Sequence, residues 1–217
     1  MRSLPKIKLA NSSAIKHSIG QNQKHESANK HVSGTAIYVD DQNPPMNTLH
    51  AYVGLSSIAH GTLSRLDLSK VKSAKGVVSV LTLKDISGHT DIGPIFPGDP
   101  LMINQGGEIQ FYGQVLFAVA ATSYDLARKA AKLAIVEYQP LTADITIEQG
   151  LANKKFVRPS HQLQRGDAKK AIAAATHTLT GEMHIGGQEQ MYLEGQASLC
   201  IPTEDGGMMV YTSTQNP

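Results

Sequence analysis

This 217-residue chain has a single cysteine, Cys200, and no tryptophan. One thiol cannot form a disulfide within the chain, and it cannot supply the several thiolates of a cysteine-based zinc or iron–sulfur site. Disulfides persist in oxidising compartments, whereas a lone reduced cysteine fits the reducing interior of a cell. The scarcity of cysteine therefore predicts a cytoplasmic protein that holds no iron–sulfur cluster of its own.

Long apolar runs and a large excess of one charge sign are missing as well. No stretch approaches the roughly 18 apolar residues of a membrane-spanning helix, and residues 1–10 lack the apolar segment of a secretory signal. The formal net charge is only +2, from 20 lysine and arginine residues against 18 aspartate and glutamate residues. Such a balance creates no field suited to nucleic acid or to an acidic lipid surface. We therefore expect neither nucleic acid nor a membrane as a partner.

The composition that remains is typical of a globular protein, with 41% hydrophobic and 18% charged residues. A chain of this length can form one large or two modest domains. Shifts in polarity divide it into an extended lead-in at residues 1–24, a first domain at 25–153, a polar linker at 154–169, and the start of a second domain at 170–217.

In the first domain, short strands alternate with a few helices. Hydrophobic patterning predicts strands at 35–39, 49–56, 63–68, 77–81, 115–121 and 133–138, with the strand at 77–81 buried. Helices are predicted at 68–74, with a serine near its N-cap, at 123–132, capped by Ser123, and at 146–152. The strand, helix and strand over 115–138 fit either a parallel crossover or a split α+β unit. Residues 85–107 form a long irregular connection, of a kind that is usually functional or contacts a partner.

The second domain begins with a predicted helix at 167–175, capped by Asp167. A strand with alternating side chains is predicted at 176–185. Two further strands, at 197–201 and 208–212, are predicted to pair through the turn Glu204-Asp205-Gly206-Gly207, with Cys200 buried between them. The fold class predicted for the whole chain is therefore α+β.

The most informative local feature is Gly186-Gly187-Gln188. Glycine has no Cβ, so a ligand can approach the backbone closely at both positions. Gln188 then offers two amide N–H donors without a charge, which suits an oxo or phosphate oxygen. Taken alone, the same three residues are more often a plain turn between strands. Glu189 and Glu194 either orient the backbone of this segment or lie in solvent.

Other groups of polar residues give weaker indications. The spacings of His25, His31 and His60 provide no pair of ligands on one helix face, so ordinary satisfied or exposed histidines are expected. Asp40-Asp41 lacks the further oxygen ligands of a calcium site. No nucleophile elbow of a serine hydrolase occurs.

Several short motifs follow one another along the chain: His25-Glu26-Ser27-Ala28, His31-Val32-Ser33-Gly34, Tyr38 before Asp40-Asp41, Ala59-His60-Gly61 with Leu66-Asp67, Tyr112-Gly113-Gln114-Val115, and Val136-Glu137-Tyr138. In this order they resemble the molybdenum-binding subunits of bacterial xanthine dehydrogenases, in the xanthine dehydrogenase and aldehyde oxidase family. The resemblance identifies residues 25–153 as that family's a/b hammerhead domain. Gly186-Gly187-Gln188-Glu189 with Tyr192-Leu193-Glu194, and then Ser213-Thr214-Gln215-Asn216, resemble the opening of its molybdopterin-binding domain.

The resemblance implies a molybdenum–molybdopterin cofactor in the full subunit, with FAD and [2Fe-2S] clusters on a partner subunit. It implies hydroxylation of a purine at an electron-poor ring carbon with water as the oxygen source, within purine catabolism, and electron transfer to NAD. By this resemblance Gln188 donates a hydrogen bond to an oxo ligand of the molybdenum, Gly186 and Gly187 allow the close approach, and no residue of this chain ligates the metal directly.

The resemblance also implies what this sequence does not contain. The catalytic glutamate and the substrate-binding residues of the family fall after the Ser213-Thr214-Gln215-Asn216 motif, so we expect a fragment that is inactive alone and binds no cofactor alone. An aldehyde oxidase, or another molybdenum hydroxylase, remains an alternative. A third possibility is a non-catalytic module in which residues 32–150 dock partner subunits, through the long connection at 85–107.

The final residues are strand-like and carry no stop signal, so we expect a protein cut within a domain. The strands after Asp167 then lack packing partners. Their apolar faces are expected to be exposed, paired with another copy, or disordered.

Overall fold

The computed structural model of this chain describes residues 20–215. Most of the lead-in predicted at 1–24, together with Asn216 and Pro217 of the final motif, lies outside the described residues. Contacts group the described chain into two compact units, one of Met46–Gly187 and one that joins the residues up to Pro45 with those from Gln188 onward. The domain boundaries predicted from composition stay a prediction.

Short helices and strands make up both units. The helices are α1 (Ala28–Ser33), α2 (Ser69–Lys72), α3 (Tyr124–Ala131), α4 (Ile147–Ala152) and α5 (Ala168–Ala174). The strands are β1 (His50–Leu55), β2 (Gly61–Asp67), β3 (Val77–Leu81), β4 (Glu108–Ile109), β5 (Val115–Ala121), β6 (Ile135–Pro140), β7 (Ser198–Pro202) and β8 (Met208–Thr212). Short 3-10 turns occur at Val39–Asp41 and Leu83–Asp85. This mixture of helices and small antiparallel sheets confirms the predicted α+β class.

The Met46–Gly187 unit contains two three-stranded sheets with the orders β1-β5-β3 and β4-β2-β6. All the pairings within them are antiparallel. Strand β5 is central in the first sheet, and its side chains Leu116, Phe117 and Val119 are fully or almost fully buried. The strand predicted at 115–121 is thus confirmed, and the structure shows that it lies at the centre of the core.

Helix α3 packs against this sheet through a face of alanines, with Ala127 and Ala130 buried. The hydroxyl of Ser123 accepts a hydrogen bond from the backbone N–H of Leu126 at 3.3 Å, which confirms Ser123 as the N-cap. Across β1 and β5, Gly54 faces Phe117, and a Cβ at position 54 would lie 2.1 Å from the phenylalanine ring. Gly54 therefore makes room for the largest fully buried side chain.

In the Met46–Gly187 unit, one open alternative is decided, one expectation is wrong and one helix start is defined more closely. Strands β5 and β6 belong to different sheets, so the strand, helix and strand form a split α+β unit and not a parallel crossover. Strand β3 lies at a sheet edge and packs on the core through Val77 and Val80 alone, which leaves Val78 exposed; its predicted burial was wrong. Helix α2 has Leu68 at its N-cap and Ser69 directly after it, near the N-cap as predicted, and the Asp67 carboxylate accepts the Ser69 N–H at 3.0 Å.

Two predicted strands were wrong. No strand forms at 35–39, because the N–H groups of Thr35 and Ala36 donate to the carbonyl oxygen of Lys30, at 2.9 and 3.1 Å, behind the left-handed Gly34. Residues 176–185 also form no strand, although their side chains alternate. A strand needs a hydrogen-bonded neighbour, and none lies beside this segment among the described residues.

Strands β7 and β8 form the predicted antiparallel hairpin, in which Cys200 pairs with Val210. Its turn is closed by the Thr203 N–H, which donates to the Gly207 carbonyl at 3.0 Å, and Gly206 adopts a left-handed φ of 82°. Met208 and Met209 are exposed, as expected, and Cys200 is exposed as well, contrary to its predicted burial. The two-stranded ribbon has no covering layer within residues 20–215, which accounts for both observations.

Candidate functional site

The segment from Gly186 to Leu193 is exposed and has neither helix nor strand. No atom of the described chain lies within 4 Å of a Cβ built on Gly186 or Gly187, so the space in front of both backbones is open. Gln188 is exposed, and its carboxamide makes no hydrogen bond with the residues described here. The amide donors and the open backbone required for the predicted contact are therefore both present.

Glu194 anchors the far end of this segment. One of its carboxylate oxygens accepts the backbone N–H of Val39 at 2.8 Å, between residues 155 positions apart in sequence. Val39 opens a 3-10 turn in which the Asp41 carboxylate accepts the Tyr38 N–H at 2.9 Å. Of the two roles considered for Glu194, the structure shows the one that orients the backbone.

Ser213 anchors the residues that follow Glu194. Its hydroxyl donates to the carbonyl oxygen of Gly195 and accepts the N–H of Ala197, both at 2.9 Å. Its own N–H donates to the carbonyl oxygen of Ala197 at 3.2 Å. Ser213, which directly follows strand β8, thus holds Gly195 and Ala197, the residues just after the first motif.

Met191 lies between Gln188 and Glu194 with a left-handed φ of 50°. Left-handed backbone is uncommon for residues other than glycine, and it is found at functional sites more often than elsewhere. The Met191 side chain is exposed, so no packing in the described chain explains this conformation. Sequence patterns could not reveal it, because methionine carries no preference for such a turn.

A second polar group lines a cavity of about 810 Å³ in the Met46–Gly187 unit. The His60 ring nitrogens lie 2.6 Å from the Thr142 carbonyl oxygen and 2.9 Å from a Glu108 carboxylate oxygen. Because both neighbours are acceptors, the ring donates through both nitrogens when protonated. The Thr142 carbonyl first, and the Glu108 carboxylate second, raise the pKa of His60 above its ordinary value. His60 is thus a satisfied histidine, as expected.

The irregular connection at 85–107 presents apolar side chains from a fixed loop. The Asp91 carboxylate accepts the N–H groups of Gly93 at 3.0 Å and Gly98 at 2.6 Å, and these bonds lower the pKa of Asp91. Ile95 and Phe96 at the tip are exposed, and the Arg158 guanidinium lies 3.7 Å from the centre of the Phe96 ring. An exposed apolar tip on a well-defined loop suits a protein contact.

Metal and membrane features are absent from the described part of the chain. Within residues 20–215 no three His, Cys, Asp or Glu side chains are grouped so as to hold a metal ion. Over the same residues, none of the helices combines the length and the apolar character that crossing a bilayer requires.

Comparison with known families assigns both parts of the chain. Residues 33–142 match the model described as "Aldehyde oxidase and xanthine dehydrogenase, a/b hammerhead domain". Residues 151–217 match the model described as "Molybdopterin cofactor-binding domain". Gly186, Gly187 and Gln188 therefore fall in the second match, while His60, Glu108 and the loop at Ile95 fall in the first.

Curated relatives match nearly the whole chain. A xanthine dehydrogenase of Dictyostelium discoideum is 36% identical over 202 residues, which is 93% of this chain and 15% of that protein. Aldehyde oxidase 1 of Bos taurus is 37% identical over 202 residues, which is 92% of this chain and 15% of that protein. The chain thus spans about 15% of the length of the curated relatives it matches.

Solved structures share the fold. The aldehyde oxidoreductase from Desulfovibrio gigas matches with a TM-score of 0.71 at 24% identity, over 87% of this chain and 23% of that chain. Quinoline 2-oxidoreductase from Pseudomonas putida 86 matches with a TM-score of 0.69 at 22% identity, over 88% of this chain and 26% of that chain. At these identities the likeness shows the fold alone.

Proposed function

Because this chain belongs to the aldehyde oxidase and xanthine dehydrogenase family, we propose that it forms part of the molybdenum subunit of a xanthine dehydrogenase. It supplies the hammerhead domain and the first part of the molybdopterin-binding domain. The complete enzyme hydroxylates a purine at an electron-poor ring carbon, with oxygen from water. It acts in the cytoplasm, where the single cysteine stays reduced.

The observation that carries this proposal is the combination of free amide donors and open backbone at residues 186–188. A Cβ at Gly186 or Gly187 meets no atom of the described chain within 4 Å, so a bound group has room there. The Gln188 amide is exposed and uncommitted within residues 20–215. A molybdenum–molybdopterin cofactor presents oxygen acceptors, and the N–H donors of the Gln188 amide can bind such acceptors. The residues present therefore fit the group.

Gln188 has one task in this proposal, which is to hold and orient the cofactor by donating a hydrogen bond to one of its oxygens. Its amide stays neutral at any physiological pH, so the bond does not depend on titration. Burial of the pair in the assembled enzyme lowers the local dielectric and strengthens the bond. When bound, the cofactor supplies the two-electron oxidation of the substrate.

The electrons leave, in this proposal, through [2Fe-2S] clusters and FAD on a partner subunit and then to NAD. A [2Fe-2S] cluster is held by four protein ligands, usually cysteines, and this chain has only Cys200. The exposed loop tip at Ile95 and Phe96 supports docking of that partner on the hammerhead domain. This chain alone, without the family's catalytic glutamate, is expected to have no activity and to retain no cofactor.

Aldehyde oxidation is the second candidate, because aldehyde oxidase 1 of Bos taurus is as similar to this chain as the xanthine dehydrogenase of Dictyostelium discoideum is. The natural polypeptide that carries this sequence separates the two. Its kcat/KM for xanthine should exceed its kcat/KM for an aromatic aldehyde by at least about tenfold, a difference of about 1.4 kcal/mol in transition-state binding. If the two kcat/KM values stand in the reverse order, the proposed substrate is an aldehyde and not a purine.

The cofactor role is tested by molybdenum and pterin content per folded polypeptide. Gln188→Ala and Gly187→Val, made in the natural polypeptide, should each lower both contents by about tenfold, since a hydrogen bond to a charged group contributes about 1.5–3 kcal/mol. Gly181→Val is the matched control, because Gly181 also has open space around its Cβ position and lies in the same exposed region. Normal content in Gln188→Ala and Gly187→Val would disprove the proposed role.

The docking role of the loop is tested by Ile95→Asp in the same polypeptide. A charge at this apolar tip should reduce the flavin and iron that co-purify with the molybdenum subunit. Leu163→Asp is the control, since Leu163 is also an exposed apolar residue but lies outside the connection. Unchanged flavin and iron in Ile95→Asp would place the partner on another surface.

A further inference from the structure

We propose that Glu194 is a positioning residue for Gln188, and this inference rests on the cofactor role proposed for Gln188. In this view the Glu194 carboxylate, bound to the Val39 N–H, fixes the end of the loop that presents the amide of Gln188. A contact between residues 155 positions apart thereby becomes part of the cofactor site.

The contact between Glu194 and Val39 is short and partly shielded from solvent. Its N–O distance is 2.8 Å, and Glu194 is half-buried while the residues just before it are exposed. The Glu194 side chain lines a small cavity together with Lys30, His31 and Tyr38. A carboxylate that accepts a backbone N–H in such surroundings forms one of the stronger hydrogen bonds in proteins.

Val39 is a firm point of attachment. The 3-10 turn that it opens is closed by the Asp41 N–H to the Tyr38 carbonyl and by the Gln42 N–H to the Val39 carbonyl, both at 3.1 Å. The Tyr38 N–H is held by the Asp41 carboxylate, and the Tyr38 hydroxyl lies 2.9 Å from Nδ1 of His31. Four residues around Val39 are thus fixed by hydrogen bonds before Glu194 adds its own.

The loop itself has little else to restrain it. Residues 186–193 are exposed and contribute no side chain to the hydrophobic core. Each residue whose backbone must be ordered on binding costs about 1–2 kcal/mol of conformational entropy. Anchors at Glu194 and Ser213 meet part of that cost before the cofactor binds, which is how a residue that does not touch the cofactor raises its affinity.

Two substitutions separate this positioning role from a role of charge. Glu194→Gln keeps an oxygen acceptor at the same place, so the Val39 N–H retains its partner. Glu194→Ala removes the acceptor and frees the loop. In the natural polypeptide we expect Glu194→Gln to keep at least about half of the molybdenum and pterin, and Glu194→Ala to lose both by about tenfold, the loss that corresponds to about 1.4 kcal/mol.

A structural readout accompanies the cofactor measurement. In this chain, hydrogen exchange at the Val39 amide should accelerate at least about tenfold in Glu194→Ala and change little in Glu194→Gln. Asp85→Ala is the matched control, because the Asp85 carboxylate accepts the Thr82 N–H at 2.7 Å in the other unit. Asp85→Ala removes the same kind of hydrogen bond but at a residue outside the loop at 186–193. The cofactor content of Asp85→Ala should therefore stay normal.

The results with these variants distinguish failure of the Glu194 proposal from failure of the Gln188 proposal. If Gln188→Ala depletes the cofactor while Glu194→Ala does not, Gln188 keeps its role and the positioning role of Glu194 is disproved. If Asp85→Ala depletes the cofactor as much as Glu194→Ala, general destabilisation explains the loss, and the positioning role is again disproved. If Gln188→Ala has normal content, both proposals fail together. The supporting result is a double variant, Gln188→Ala with Glu194→Ala, that loses no more cofactor than Gln188→Ala alone.

Discussion

The packed core around β5 and the stretch at 176–194 differ in how much of their side-chain surface is buried and in whether helices and strands form. In the core, Leu63, Leu116 and Phe117 are almost completely removed from solvent, and two sheets and helix α3 surround them. Along 176–194, Leu179 and Met183 are exposed, and no helix or strand forms. The residues that carry the proposed cofactor contact therefore contribute almost nothing to the core.

This contrast separates stability from binding. A substitution in the core changes the free energy of unfolding through lost burial and cavity formation. A substitution at 186–188 changes what the backbone and the amide can reach, at little cost to the fold. Residues 186–188 can thus be changed without unfolding the chain, and the following four comparisons test how far burial decides the cost of a substitution, beginning with the largest effect.

Phe117→Ala should be the most destabilising of these changes. The Phe117 side chain is 1% exposed, and truncating a buried phenylalanine costs about 3–5 kcal/mol. Leu179→Ala is the matched truncation in the exposed stretch, and it should change the free energy of unfolding by less than about 0.5 kcal/mol. Urea denaturation of this chain measures both, and a similar loss in the two variants would contradict the contrast.

Gly54→Ala should destabilise the fold by about 3 kcal/mol, because the new Cβ would lie 2.1 Å from the Phe117 ring, so this buried ring must shift within the core. Gly187→Ala adds the same methyl group where no atom lies within 4 Å, so its unfolding midpoint should match that of the unaltered chain. A stable Gly54→Ala variant would show that β1 and β5 can separate at this point.

Ser56→Ala should cost about 2 kcal/mol. The buried Ser56 hydroxyl accepts the N–H groups of Gly113 and Gln114, at 3.1 and 2.9 Å, and donates to the Phe111 carbonyl at 3.1 Å. Its loss takes the acceptor from the buried Gln114 N–H, while the Gly113 N–H keeps the Ser56 carbonyl oxygen as an acceptor at 3.1 Å. The Ser213 hydroxyl makes comparable bonds but is more exposed, so Ser213→Ala should cost about 1 kcal/mol or less. Equal losses in thermal denaturation would mean that burial does not decide the cost.

The smallest expected effect is a pH dependence that depends on His60. The pKa of His60 is raised in the folded chain, so its stabilising contribution is complete below the unfolded value of about 6.5 and is lost as the pH rises through the folded pKa. Glu108 and Asp144 face the ring with negative charge, and Lys155 faces it with positive charge.

The difference in urea midpoint between the unaltered chain and His60→Asn should therefore shrink as the pH rises from about 5.5 to about 9. A difference in urea midpoint that grows with pH would contradict the raised pKa of His60.

Local chemistry decided how much of the fold could be predicted from the sequence. Ser123, Thr146 and Asp167 accept the hydrogen bonds expected of N-caps, at 3.3, 3.2 and 3.0 Å, and the helices after them form as predicted. The hairpin at 198–212 follows from its Asp-Gly turn. The xanthine dehydrogenase and aldehyde oxidase family was also predicted correctly from short motifs, whereas the narrower bacterial group and the role of Gln188 stay predictions.

Features that depend on distant residues could not be predicted. The alternation of Leu179, Met183 and Ile185 is typical of a strand, but a strand also needs a neighbour, which the pattern does not provide. The sequence likewise gave no sign that Glu194 binds Val39, because nothing in a local pattern links positions 155 apart. The separation of β5 and β6 into two sheets was one of two open alternatives for the same reason.

The pairing of strands also governs how this protein emerges from the ribosome. Strand β2 pairs with β6, so that Gly61 lies opposite Pro140, and β1 pairs with β5. In both pairs the first strand is synthesised well before its partner. Chains grow at about 5–20 residues per second, and sheets that join distant segments close slowly. For several seconds of translation Leu63 therefore lacks β6 as a partner strand. During that time the nascent chain exposes to chaperones a hydrophobic side chain that is fully buried in the folded protein.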